Sequence, residues 1–309
     1  MRRIRIALVV AVIGLSVVGA LPAGAAGTSS VTVWTWNVAG WTMHRGSTTD
    51  GLVGQITSSV TNRGADLVAL NELCQGQYDA VVSSLRAAGW PRDASNFARF
   101  EAHSTTACGG KPFGLAIFSK EPLGGANRYT LSSDGSTEAR KLLCAPLQSS
   151  PHLRFCTTHI TPLNQDLGGE KINVIQLTEV RNRVEAFDAA GDTVLVAGDF
   201  NAQPSYGRLD AWYSPTVDTA VNSHNTGAYR ELDDTDARCP GYGEATTESA
   251  PGIESCGQTS KIDLIFVRAT RVVGSYSADS LAIPPCGSAP CSDHRVLYGS
   301  VQVSVTPGG

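Results

Sequence analysis

Apolar residues recur along this chain with two different periods, and the switch between them marks out its elements. Short apolar runs end in polar residues: Trp34-Thr35-Trp36 before Asn37, Leu67-Val68-Ala69-Leu70 before Asn71 and Glu72, Arg154-Phe155-Cys156-Thr157-Thr158 before His159, and Thr193-Val194-Leu195-Val196 before Ala197-Gly198-Asp199. Gly114 to Phe118, Lys141 to Leu143, Lys261 to Val267 and Val296 to Tyr298 are further runs of this kind. Their lengths and apolar content predict strands. Spacing of three and four takes over at Leu52, Val53, Ile56 and Val60, and again at Tyr78, Val81, Val82 and Leu85. From about Gly169 to Ala189 it places Ile172, Ile175, Val180, Val184 and Phe187 on one face. These predict helices, the third ending at Gly191. Segment 218–260, rich in Asp, Gly, Thr and Ser, has little periodicity and reads as a long surface excursion.

Ahead of the first strand, Arg2, Arg3 and Arg5 precede an apolar stretch from Ile6 to Leu21 and the small residues Ala23-Gly24-Ala25-Ala26. That is the layout of a secretion signal peptide over residues 1–26, cleaved near Ala25 or Ala26. Gly14, Gly19 and Pro22 break the stretch and argue against a membrane anchor. No later segment is apolar and long enough for a transmembrane span, so a secreted, extracellular product of residues 27–309 is expected. Losing the three leader arginines takes the formal charge from −4 to about −7, and no Lys/Arg cluster stands out. This weighs against a tight nucleic-acid binder but leaves room for an enzyme that makes a few local phosphate contacts. Eight cysteines in an exported chain imply four disulfides. Cys144 and Cys156 flank the turn Ser149-Ser150-Pro151 symmetrically, so a hairpin sets them opposite each other. Cys286 and Cys291 bracket a short loop, which leaves Cys239 with Cys256 and Cys74 with Cys108; no CxxC pair supports zinc.

Candidate chemistry gathers where the runs end. Asp199 and Asn201 stand two residues apart at a strand end and point the same way into a cleft, where α/β sheets bind ligands. Gly198 lets the backbone turn there without a side chain in the way. Asp263 lies inside an apolar run; an unpaired buried carboxylate is costly, so it needs a partner, and a histidine is the obvious one. Glu72 is the best candidate metal ligand, because Mg²⁺ takes one or two carboxylates together with waters and phosphate oxygens. Asn37 and Asp293 would complete the shell directly or through water.

Taken in order, Trp34–Asn37, Leu67–Glu72, Arg154–His159, Ala197–Ala202, Lys261–Val267 and Ser292–His294 resemble the endonuclease/exonuclease/phosphatase superfamily. That superfamily includes pancreatic-type deoxyribonucleases, apurinic endonucleases, bacterial sphingomyelinases, the nuclease subunit of cytolethal distending toxin and inositol polyphosphate phosphatases. The likeness runs from about Val31 to about Val303, and Gly-Asp-Phe-Asn and Ser-Asp-His are its most specific parts. It implies an α/β fold of the deoxyribonuclease I type: a four-layer α/β/β/α sandwich of two facing mixed β-sheets flanked by helices. One domain over 27–309 follows, because the site draws on both ends of the chain.

The resemblance also implies roles. Asp199 would orient or deprotonate the attacking water, Asn201 would steady the phosphate, and Asp263 would pair with His294, fixing its tautomer and raising its pKa. His159, in Thr158-His159-Ile160-Thr161-Pro162, resembles a second histidine of the deoxyribonuclease and sphingomyelinase branches, placed to protonate the leaving oxygen. Its acidic partner in deoxyribonucleases comes from an earlier strand, and Glu101 is the candidate here. Arg140, in Glu138-Ala139-Arg140-Lys141, falls at a phosphate-contacting arginine, with an exposed structural arginine as the plain alternative. His44, His103, His152 and His224 match no motif and read as surface residues.

The function expected from all this is a secreted, Mg²⁺-dependent phosphodiesterase, with Mn²⁺ or Ca²⁺ as alternative ions. Asp199-Phe200-Asn201-Ala202 followed by Ser205-Tyr206 resembles the deoxyribonuclease branch, so an endonuclease cutting DNA or RNA with low sequence specificity leads. Nucleic acid is then the substrate, no stable protein partner is implied, and the chain is expected to be a monomer. A sphingomyelinase-type enzyme would dock through an exposed aromatic hairpin, whereas Trp41, Met43 and Trp90 are scattered and read as core. A polyphosphate phosphatase would want a basic pocket that this chain does not advertise. A secreted binding protein without turnover would have no need of the full catalytic set.

Overall fold

The computed structural model describes residues 27–247 and 260–307; the expected secretion signal and Cys256 lie outside the described residues. The chain opens with β1 (Gly27–Asn37), α1 (Leu52–Arg63), β2 (Leu67–Cys74) and α2 (Gln75–Ala87). Five strands follow: β3 (Ala98–Ser104), β4 (Phe113–Ser119), β5 (Asn127–Thr130), β6 (Lys141–Leu147) and β7 (Ser150–His159). A small hairpin of β8 (Asp166–Leu167) and β9 (Glu170–Lys171) leads into α3 (Ile172–Ala189) and β10 (Thr193–Asp199). The chain closes with β11 (Tyr229–Glu231), β12 (Asp263–Arg268), β13 (Val272–Leu281) and β14 (Val296–Val305).

Two six-stranded sheets result, ordered β13-β14-β1-β2-β4-β3 and β11-β12-β10-β7-β6-β5. Each has one parallel pair at its centre, β1 with β2 and β10 with β7, and antiparallel neighbours elsewhere. Strand side chains alternate between faces. Inward, Val31, Val33, Leu67 and Ala69 meet Phe155, Leu195, Ala197, Ile265 and Val267 between the sheets. Outward, Trp34, Trp36, Val68 and Leu70 pack under α1 and α2 through Leu52, Ile56, Val60, Val81 and Leu85. On the far side, Cys144, Cys156, Val194 and Val196 pack under Leu177, Val180 and Val184 of α3. The four-layer α/β/β/α sandwich is as the sequence led us to expect.

Three local readings change. The third helix starts at Ile172 rather than Gly169, because Gly168 and Gly169, with φ of +65° and +96°, make the turn of the β8–β9 hairpin. Ile175 is only half-buried, and Gln176 shares the inner face instead. Gln176 Oε1 accepts from the Thr161 amide at 2.9 Å and Nε2 donates to the Ser132 carbonyl at 2.7 Å, so the carboxamide satisfies backbone that would otherwise be buried unpaired. Segment 218–260 is not all surface: Tyr229, Glu231, Leu232 and Asp233 are fully buried, and β11 forms the edge of the second sheet.

Cys144 and Cys156 are direct register partners across β6 and β7 and are disulfide-bonded, with Cα atoms 4.0 Å apart. Cys74–Cys108 and Cys286–Cys291 are also bonded as expected. Bonds of this kind point to an oxidising, extracellular compartment. No helix among the described residues is long and apolar enough to cross a membrane. Nonreducing peptide mapping is expected to recover the Cys144–Cys156 linkage. Replacing both with Ala should lower stability by about 3 kcal/mol in urea unfolding, the loop-closure value for a link of this length.

Candidate active site

Inward parity carries on past the apolar runs. Continuing Val31 and Val33 by steps of two reaches Thr35 and then Asn37; Leu67 and Ala69 lead to Asn71; Phe155 and Thr157 lead to His159; Leu195 and Ala197 lead to Asp199; and Val267 and Ile265 lead back to Asp263. Register aligns these positions as well. Asn37 is the partner of Asn71 in the first sheet, while Asp199 is flanked by His159 and by Asp263 in the second. The five side chains therefore meet at one end of the cleft, at the C-terminal ends of both parallel pairs.

Cross-sheet hydrogen bonds close this cluster. Asn37 Nδ2 donates to Asp199 Oδ2 and to Glu72 Oε1, each at 3.0 Å. The Asp199 amide donates to Asn71 Oδ1 at 2.8 Å, and Asn71 Nδ2 donates to Thr157 Oγ1 at 3.2 Å. Glu72 joins through a break in the alternation: β2 carries an extra residue between Leu70 and Leu73, and Glu72 takes a left-handed φ of +57°. Backbone strain of this kind collects at functional sites, and here the bulge turns the carboxylate toward Asn37. Gly198 has a different task from the turn expected of it. It continues β10 with φ +143°, and a Cβ there would lie 2.2 Å from the Thr158 carbonyl oxygen and 3.0 Å from Asn71 Oδ1. Only glycine lets β10 approach β7 and Asn71 this closely.

Asp263 has the histidine partner its burial demanded. His294 Nδ1 lies 2.8 Å from Asp263 Oδ2, and His294 Nε2 lies 3.8 Å from Asp199 Oδ2. Burial opposes a charge on this ring, yet the carboxylates of Asp263, Asp199 and Asp293 raise its pKa to about 10. Burial and the charge of Asp263 push Asp199 upward, against the pull of His294 and Asn37. Asp199, Asp263 and His294 offer ligand atoms within 4.8 Å of one another, close enough for an ion. An imidazolium already bound to a carboxylate is no ligand, so we read this trio as a proton-sharing cluster.

The strap that carries His294 is fastened from several sides. The His294 amide donates to Ser292 Oγ, Ser292 Oγ donates to the Asn37 carbonyl at 2.7 Å, and Trp36 Nε1 donates to the His294 carbonyl at 2.9 Å. Thr246 Oγ1 accepts from the amides of Ile262 and Asp263, each at 3.0 Å. His44, expected at the surface, is buried and bridges Asp50 and the Cys291 carbonyl at 2.7 and 2.6 Å. The hydrophilic loops around it gave no sign of this. Lys261, at the head of an apolar run, is fully buried between Asp233 at 2.7 Å and Glu231 at 3.2 Å, and Glu231 Oε1 accepts from the Ile265 amide.

Asn201 lies beside Asp199, its amide donating to Asp199 Oδ1 and its Nδ2 to the Ile160 carbonyl. His159 Nε2 is 3.5 Å from Asp199 Oδ2. Burial, and then Arg140, His103 and His294, hold its pKa well below the ordinary imidazole value. Glu101 is not its partner: that carboxylate pairs with Arg128 at 2.9 Å and Lys141 at 3.7 Å. The buried ring beside His159 is His103, expected at the surface, with centroids 6.1 Å apart. Arg140 is buried rather than exposed and pairs with Glu138 at 3.0 Å and Asp134 at 3.6 Å. Asp293 is exposed, with a contact of 3.5 Å to Ser292 Oγ. His152 pairs with Asp192 at partial exposure and His224 is exposed, as expected. Trp90 is core, Trp41 is half-buried and Met43 is 39 % exposed, so these three form no continuous hairpin tip.

Residues 34–294 match the sequence profile of the Endonuclease/Exonuclease/phosphatase family. No curated protein sequence matches significantly. Similar solved structures include the human Nocturnin catalytic domain with bound sulfate anion, at TM-score 0.62 and 16 % identity, covering 91 % of this chain and 98 % of that one. The D. rerio TDP2 complexed with single strand DNA product gives TM-score 0.57 and 18 % identity over 88 % of this chain and 99 % of that one. An endonuclease/exonuclease/phosphatase from Bacteroides vulgatus gives 0.58 and 16 % over 90 % and 99 %. At these identities the likeness is one of fold.

The charge on His294 generates a test. Its folded pKa, about 10, lies above the ordinary 6.5, so the stabilisation it brings is complete below pH 6.5 and disappears as pH rises through 10. In chelator, the urea midpoint should decline between pH 7 and 10, and His294→Gln should flatten that decline. An equal slope in the variant would contradict the assignment.

Proposed function

The chain belongs to the endonuclease/exonuclease/phosphatase family, and on that premise we propose that it is a secreted, divalent-metal-dependent endonuclease hydrolysing DNA or RNA with low sequence preference. One observation carries the reading: a single carboxylate oxygen, Asp199 Oδ2, faces Asn37, His159 and His294 at 3.0, 3.5 and 3.8 Å. A water placed beside it would meet a base and two imidazoles at once, which would activate it for in-line attack on phosphorus and leave donors for the charge that develops.

Asp199 is the group to take the proton from that water, since burial and Asp263 raise its affinity for a proton. His294, held as a cation by Asp263, is suited to stabilise charge on a phosphoryl oxygen rather than to act as the base. Asn201 would steady the same phosphate with the amide hydrogen that its bond to the Ile160 carbonyl leaves over, and the Arg140 guanidinium is near enough to His159 to lower its pKa. The low pKa of His159 departs from the role of cationic acid that the resemblance implied; a neutral ring donates a hydrogen bond and gives up its proton reluctantly.

Glu72 and Asn37 meet at one edge of this cluster and Asp293 is exposed next to His294. The carboxylates of Glu72 and Asp293 are hard oxygen donors with no thiolate among them, which fits Mg²⁺, with Mn²⁺ or Ca²⁺ as substitutes. Asn37 turns Nδ2 to Glu72 and would ligate only through Oδ1, which here accepts from the Ala39 amide. A bound divalent cation would neutralise developing charge on the phosphate and leaving oxygens. The leader sequence and the disulfides support secretion, and the reading takes the protein as a monomer.

Purified protein should nick plasmid DNA in Mg²⁺ and stop in chelator, while leaving sphingomyelin intact. Asp199→Asn and His294→Gln should each lower kcat by on the order of 10³ with the circular dichroism of the folded protein retained. Undiminished nicking in a folded Asp199→Asn, or cleavage of sphingomyelin alone, would overturn the proposal.

A further inference from the structure

His103 is 4 % exposed, and the chemistry above gives it no task. It stands at a bulge in β3: Ala102 pairs with Gly114 and Ser104 with Phe113, so His103 is the extra residue that the ladder skips. Bulges re-aim single side chains and gather beside active sites. Here the bulge brings the ring within 6.1 Å of the His159 ring, tilted by 36°. The His103 carbonyl accepts from the Ala139 amide at 2.9 Å, which ties the bulge to the segment bearing Arg140. Neither ring nitrogen of His103 has a hydrogen-bond partner in the protein, and neither has His159 Nδ1. Buried nitrogens left unpaired are unfavourable, and two such rings side by side can satisfy each other.

Charge limits the kind of link. Burial first, then Arg140 and Lys141, push His103 down to about 3, and His159 is lowered by burial and by the same arginine. Both rings are neutral, each with one N–H and one lone pair. His159 Nε2 faces a carboxylate oxygen of Asp199, so the N–H of His159 belongs on Nε2 and its lone pair on Nδ1. His103 is the neighbour able to donate to that lone pair, after a small ring rotation or through one shared water.

We propose that His103 is a positioning residue that donates toward His159 Nδ1 and so fixes the tautomer presenting Nε2–H to a phosphoryl oxygen. This rests on reading the site as a phosphodiesterase. A carboxylate in this position would draw a second proton onto His159; an imidazole orients it without doing so.

The test uses ¹⁵N-histidine NMR of the whole protein in chelator, together with kinetics on plasmid DNA. Wild-type His159 should show the Nε2–H tautomer alone. His103→Ala, and His103→Phe, which keeps the bulk of a ring without its N–H, should show a mixture. His103→Gln, which retains an N–H donor, should restore the single tautomer. In Mg²⁺, kcat should fall at least tenfold in the Ala or Phe variant with KM within twofold, and Gln should recover most of it. An unchanged His159 spectrum in the folded Ala or Phe variant, or wild-type kcat in either, overturns the proposal. The spectra are read without metal or substrate. A protein that gives the expected spectra but cuts no phosphodiester would therefore support the positioning role and count against the hydrolase reading alone.

Discussion

Each central strand buries alternate side chains between the sheets, and where the hydrocarbon stops the next inward position carries a polar group. Asn37, Asn71, His159, Asp199 and Asp263 end those inward rows on five different strands, after Thr35 and Thr157 in the rows of Asn37 and His159. Because the strands are in register, the five groups cannot avoid one another. A slip of one residue in any strand would turn its polar end outward and place a hydrophobic side chain in the cluster. The packing that fills the space between the sheets thus also fixes the geometry of the chemistry at its end.

Burying so much charge is costly unless every group has a partner, and the molecule meets this requirement by pairing. Asp263 is paired with His294, and Asp199 accepts from Asn37 and from the Asn201 amide. Lys261 lies between Asp233 and Glu231 two residues from Asp263, and Glu231 also receives the amide of Ile265 on β12. The buried lysine therefore anchors the strand whose first residue orients His294. Removing one member of such a group leaves an uncompensated charge, which is far worse than never having buried it.

His294 arrives from outside the sheets and depends on the strap 284–294. The Cys286–Cys291 bond closes that strap, His44 grips the Cys291 carbonyl, and Ser292 and Trp36 fasten it to the end of β1. The three hydrogen bonds among these ties join residues about 250 positions apart in the chain, 258 for Trp36 and His294. The two halves of the sequence are accordingly halves of one site.

Alternation, helix spacing and the polar residue ending each run were legible in the sequence because they are local: a strand or helix face needs only its own residues to declare it. So were the Cys144–Cys156 bond, set by the symmetry of one hairpin, and the need of Asp263 for a histidine. Tertiary structure alone decided what local pattern does not encode. The Glu72 and His103 bulges depend on a neighbouring strand, and no sequence period marks an extra residue. The true neighbour of His159 is the bulged His103, whereas Glu101, two residues away, satisfies Arg128 and Lys141. Polar residues such as Glu231, Gln176 and His44 look like surface along the chain, and Lys261 at the head of an apolar run gives no sign of its two acidic partners. They are buried because their partners come from distant segments, and a buried polar group is tolerated only where folding has brought such a partner.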